Sequence, residues 1–158
     1  MIEIHLLRLP VQIWKRAQEH SDELLREFTL LTEGMRHEAP NTAPPPLRLI
    51  DLVEELTNTY AGFSGEQEAQ LFAASADGTD AIDLRYTIPA QVGDAATRLG
   101  DALDEADEYC RAGQHLLTLA TPPDLVHFRR WFLDEFTAQA AGRPPTPWPD
   151  YAERSAPT

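Results

Sequence analysis

Three times the chain runs from an apolar segment through proline into an amphipathic one: LLRLPVQIW at Pro10, LRYTIPAQV at Pro89 and LATPPDLVHF at Pro122 and Pro123. Proline fixes φ near about −65° and carries no N–H. It fits the first turn of a helix at no cost and stops a strand from extending, so each site reads as a strand-to-helix boundary. The units share too little else to form a sequence repeat.

The flanking patterns agree with this punctuation. Ile2, Ile4 and Leu6 alternate with Glu3 and His5, which predicts a strand over residues 2–9. Ile82, Leu84, Tyr86 and Ile88 alternate with Asp83, Arg85 and Thr87, which predicts a second strand over 82–88 with one face buried. HLLTLA, residues 115–120, is apolar on both sides and predicts a third strand in the middle of the sheet.

Between these lie helical stripes at spacings of three and four. One carries Trp14, Ala17, Leu24, Leu25, Phe28 and Leu31, with Gly34 as a stop. A second carries Leu49, Leu52, Val53, Leu56 and Tyr60 and ends near Gly62, after which Ser64 caps a short helix bearing Leu71 and Phe72. A long helix follows with Val92, Ala96, Leu99, Leu103, Ala106 and Cys110 on one side. The last turns Leu125, Phe128, Phe132 and Phe136 inward. The expected fold class is α/β: a small three-stranded, largely parallel sheet packed with about five helices, the long helix forming a right-handed crossover. Residues 1–142 are expected to form one globular domain with a proline-rich loop at 38–46, and residues 143–158 a proline-rich flexible tail. In that tail Trp148 and Tyr151 are unusual residues to leave in water.

Charge narrows the partners. The 26 acidic residues against 13 basic ones give a net charge of −13, which repels phosphate backbones and anionic lipid. Neither a nucleic acid nor a membrane is expected as partner; a basic protein surface and self-association are both compatible with a solvated acidic surface. One cysteine rules out an internal disulfide and fits a reducing compartment. Glu3 near the start, where a signal peptide would be basic, argues against a secretory leader, so a cytoplasmic location is expected.

Chemistry-bearing motifs are sparse. Asp101, Glu105 and Glu108 share a helix face and read as a solvated acidic surface, the spacing being wrong for a Ca²⁺ loop. His5, His20, His37, His115 and His127 show no HExxH spacing, so no metal and no cofactor is expected. Cys110 falls on a buried stripe behind acidic residues and reads as an inert core thiol. No GxSxG, Walker loop or GxGxxG occurs, and no catalytic residue is assigned. Arg129, Arg130 and Trp131 on the last helix, with Trp148 in the tail, are the expected partner-binding residues, because paired Arg beside an edge Trp is the composition of an interface anchor.

HLLTLATPPDLVHFRRWFLDEF, with LPVQIWKRAQEHSDELLREFTLL and the terminal RPPTPW, resembles small proteins of high-GC bacteria associated with partner-switching regulators. Those systems comprise anti-sigma kinases, STAS-domain antagonists and PP2C-type phosphatases. The resemblance brings no catalytic residues, and the chain lacks the Asn-box and DxGxG with which the kinases hold ATP. It implies a companion or regulator whose partner is an anti-sigma kinase or a STAS protein. The alternative, read from the fold, is a small-molecule sensing or enzymatic domain with a pocket between sheet and helices.

Overall fold

The computed structural model describes residues 1–33, 44–113 and 119–154. In chain order these form strand β1 (Ile2–Pro10), helices α1 (Val11–Thr32) and α2 (Pro45–Ala76), strand β2 (Ala81–Ile88), and helices α3 (Val92–Ala112), α4 (Pro123–Ala140) and α5 (Trp148–Arg154). Prolines do mark the boundaries. Pro10 hands β1 directly to α1, Pro45 and Pro123 open α2 and α4, and the Pro89 carbonyl accepts the Val92 N–H at the start of α3.

The sheet corrects the expected fold class. Among the described residues it has two strands, β1 and β2, paired antiparallel, and is neither three-stranded nor parallel. Most of the expected third strand, 115–120, lies outside the described residues; Leu119 and Ala120, which are described, form no strand. Connectivity explains the antiparallel sense. Helices α1 and α2 pack together as an out-and-back pair, so β2 begins where β1 ended: Pro10 faces Ala81, and the Val11 N–H donates to the Asp80 carbonyl at 3.0 Å.

Helix α2 is the second correction. The expected break near Gly62 and the Ser64 cap are absent, and one 32-residue helix runs through both. Ser64 Oγ turns back to the Tyr60 carbonyl at 3.4 Å instead. Two helical glycines cost roughly 1 kcal/mol each, but the row Phe63, Gln67, Leu71, Ala74 stays packed, which outweighs them. A Cβ at Gly62 or Gly65 would meet nothing within 4 Å, whereas one at Gly93 would stand 2.9 Å from Ala140 Cβ. Gly62→Ala and Gly65→Ala are therefore expected each to stabilise the fold by about 0.5–1 kcal/mol. Gly93→Ala should destabilise it by forcing α3 from α4, and thermal denaturation midpoints separate the two outcomes.

Strand β1 carries a bulge. Register slips between Leu6 and Leu9, so Leu7 and Arg8 together oppose Asp83, and Arg8 sits at φ 56°. The Asp83 carboxylate accepts the Arg8 backbone N–H at 2.7 Å and holds this unfavourable conformation. The slip returns Leu9 to the face of Ile4 and Leu6, all three fully buried.

A glutamine bonds each outer edge of this small sheet. Gln139 of α4 accepts the His5 N–H and donates to the His5 carbonyl, both at 2.8 Å, as a neighbouring strand would. Gln67 of α2 donates to the Arg85 carbonyl at 2.7 Å on the opposite edge, and Arg85 is the cross-strand partner of His5. Each edge is thus blunted at this one position.

The core divides into two clusters. The sheet face joins Trp14, Leu71, Phe128, Trp131 and Phe136 in the first. Leu24, Phe28, Leu49, Ala106, Cys110 and Leu119 form the second, further along the helices.

Candidate functional site

A polar seam crosses the helices at the join between these clusters. Asp107 of α3 is 2% exposed. Its Oδ1 accepts the Thr121 backbone N–H at 3.1 Å and the Thr121 hydroxyl at 2.7 Å. Its Oδ2 stands 3.0 Å from Arg129 Nη2, an ion-pair distance outside hydrogen-bond geometry. The same nitrogen donates to Asp104 Oδ1 at 2.8 Å. On the other side His20 Nε2 of α1 lies 3.2 Å from Thr121 Oγ1. A hydroxyl has one proton, and Thr121 gives it to Asp107. His20 must then donate from Nε2, which leaves its Nδ1 as the acceptor. The seam ties α1, α3 and α4 through one threonine.

One apolar cleft opens beside it, and a second adjoins that one. The first, of about 250 Å³, lies between α1 and the α3–α4 pair; Trp14, Leu24, Leu103 and Phe128 form its walls, and His20, Ser21, Thr121 and Arg129 its polar end. The second, of about 480 Å³, lies between α2 and the same pair, with Tyr60, Tyr86, Ile88 and Phe136 among its walls. Leu99, Phe132 and Leu133 line both. The Tyr86 hydroxyl is held far above its ordinary pKa by burial and by the nearby Glu68 carboxylate, so it remains a neutral phenol.

The residues expected to bind a partner occupy contrasting places. Arg129 is 13% exposed at its side chain and committed to Asp104 and Asp107. Trp131, expected at the helix edge, is fully buried, and its indole N–H donates to the Thr146 carbonyl at 2.8 Å. Arg130 is exposed. Its charge opposes, without overcoming, the burial that raises the pKa of neighbouring Asp134. Trp148 is half-buried on α5, its ring 5.8 Å from Phe128, 5.6 Å from Trp131 and 5.3 Å from His127. Within the expected flexible tail, Trp148 and Tyr151 of α5 are therefore packed on the first core cluster.

A second polar cluster fastens that tail. Glu135, 5% exposed, accepts the Thr146 N–H at 2.8 Å and the Gln139 amide at 3.1 Å through one oxygen. Burial raises its pKa, against the lowering effect of the Thr146 and Gln139 hydrogen bonds. Both backbone groups of Thr146 are thus taken by α4.

Cys110 is buried in the second cluster, where burial and then Asp107 push its pKa up to about 11. That is the opposite of an activated thiolate. The acidic face of α3 is exposed, with Glu105 paired to Arg48 at 3.0 Å and Glu108 to Arg111 at 3.1 Å. Among the described residues no group of three His, Cys, Asp or Glu side chains could hold a metal ion, and no helix is long and apolar enough to cross a membrane. His37 and His115 lie outside the described residues.

Sequence reading missed Asp107, Glu135 and Gln139. A usable signal existed for each. Asp107 stands three residues before Cys110 and four after Leu103, on the buried stripe. Glu135 and Gln139 follow Trp131 at steps of four, on the face turned to β1 and the tail. No protein-family model, curated protein or solved structure matches this chain.

Proposed function

We propose that this protein is a non-catalytic regulatory module that acts by holding a protein partner. The observation supporting this reading is the commitment of its reactive side chains to the fold: Thr121 to Asp107, Arg129 to two carboxylates, Glu135 to Thr146 and Gln139. A nucleophile or general base needs a free face toward a substrate; these groups spend their bonds joining helices. The surface left outside is strongly acidic and complements a basic protein surface. By resemblance, that partner is an anti-sigma kinase or a STAS protein of a partner-switching system.

With Arg129 and Trp131 internal, direct contact falls to Arg130 on α4 and the half-exposed side of Trp148 on α5. Capture from the native lysate, followed by reconstitution with the purified partner, tests this. A stoichiometric complex that weakens with rising salt is expected, with Arg130 meeting a carboxylate inside the otherwise basic partner surface, and Arg130→Ala should weaken it about tenfold, the effect of losing roughly 1.4 kcal/mol. A complex indifferent to both salt and Arg130 would place the interface elsewhere. A specific observation favours the second reading, small-molecule sensing: two adjoining apolar clefts, the first of which ends at the polar seam.

A further inference from the structure

We infer that the two clefts together form one binding site for an uncharged, elongated lipophile with a hydroxyl head; this rests on the small-molecule reading. A domain of this size ordinarily builds one contiguous core. Here the core is split, and the clefts lie at the split. The first is walled by Trp14 and Phe128 from one cluster and by Leu24 and Leu103 from the other. The shared wall likewise sets Phe132 and Leu133 of the first cluster against Leu99 of the second. Unfilled apolar space is destabilising, and an apolar cavity takes an apolar guest more readily than water. An occupant running past Leu99 would join the two clusters into a single core.

The head group follows from the seam. Among the described lining residues Arg129 is the permanent cation at the first cleft's polar end, and Asp104 and Asp107 already balance it. One guanidinium between two carboxylates leaves a local excess of negative charge, which disfavours a carboxylate or phosphate head. A neutral His20 that gives Nε2–H to Thr121 has one ring nitrogen left to accept, so the fitting head is a donor. An alcohol supplies that without charge.

The test titrates the full chain with decanol, with decanoate and with a decanol brominated on the carbon next to the one bearing its hydroxyl, which puts the bromine with the head in the first cleft. Decanol should raise the thermal midpoint by several degrees in a saturable way, and decanoate should half-saturate at a concentration at least tenfold higher. The bromine should quench tryptophan fluorescence, and Trp14→Phe should remove that quench, since Trp14 is the tryptophan lining the site. Leu99→Trp fills the shared wall and should abolish saturation with the fold intact by circular dichroism; if it does not fold, Leu133→Phe serves the same purpose. Absence of a saturable shift, preference for decanoate, or quenching that survives Trp14→Phe each overturns the inference. If decanol fails while a panel of polar metabolites shifts the wild type but not Leu99→Trp, this ligand class is wrong and the sensing reading stands. If nothing shifts the wild type, both fall.

Discussion

Arg129→Met is expected to destabilise the fold by about 3–5 kcal/mol, the penalty for stranding a buried charge. Arg129 Nη2 is the cation facing Asp107 Oδ2 at 3.0 Å, and Asp107 is 2% exposed, so water cannot replace the guanidinium. Asp104 also loses its partner, but its side chain is 53% exposed and solvent takes over there at little cost. The companion variant Asp107→Asn should be milder, about 1–2 kcal/mol, because an amide oxygen still accepts both Thr121 donors. Combining the two should recover most of the Arg129→Met loss, since no charge is then left uncompensated. Urea denaturation of the four proteins measures this. Additive losses in the double variant would show that Arg129 acts through packing of its stem and not through Asp107.

Local structure was legible in the sequence where a single physical rule decided it. Alternation in Ile82–Ile88 and the helix starts marked by Pro10, Pro89 and Pro122-Pro123 are such cases, and they hold in the structure. Strand direction was not. The parallel sense is read from a strand at 115–120 joined to 82–88 by one crossover helix, whereas the pairing observed is β1 with β2, and the two packed helices between them return the chain antiparallel. Helix continuity at Gly62 was not legible either: the intrinsic cost of glycine predicts a break, and packing of Leu71 and Ala74 decides against it. The site was harder still. His20, Asp107 and Thr121 are far apart in the chain, and no local pattern joins a histidine on α1 to a threonine 101 positions later. A charged residue reads by type as solvent-facing. Asp107 and Glu135 are exceptions because each lies on an inward-facing helical row.

The tail follows the same logic and gives the second large effect. Trp148→Ala should destabilise the protein by about 2–4 kcal/mol, as expected for truncating a well-packed aromatic that is not wholly enclosed. Its ring is the piece that covers Trp131 and Phe128, which are 0% and 3% exposed only while α5 stays in place. Glu135 holds the approach to it, and there charge and hydrogen bonding can be separated. Glu135→Ala removes the acceptor of the Thr146 N–H and should weaken docking. Glu135→Gln keeps an acceptor oxygen and removes the charge that burial opposes. The sign is set by the raised pKa. A carboxyl whose folded value lies above its unfolded one favours the folded state while protonated, and that contribution fades as pH climbs through the folded value. Wild-type stability should therefore lose this increment between the ordinary carboxylate range and the raised value, while Glu135→Gln shows no such loss. At neutral pH the Gln variant should equal or exceed the wild type and the Ala variant should fall below both. A Gln variant as unstable as the Ala one would mean that the ionised carboxylate itself, and not its acceptor oxygen, fastens the tail.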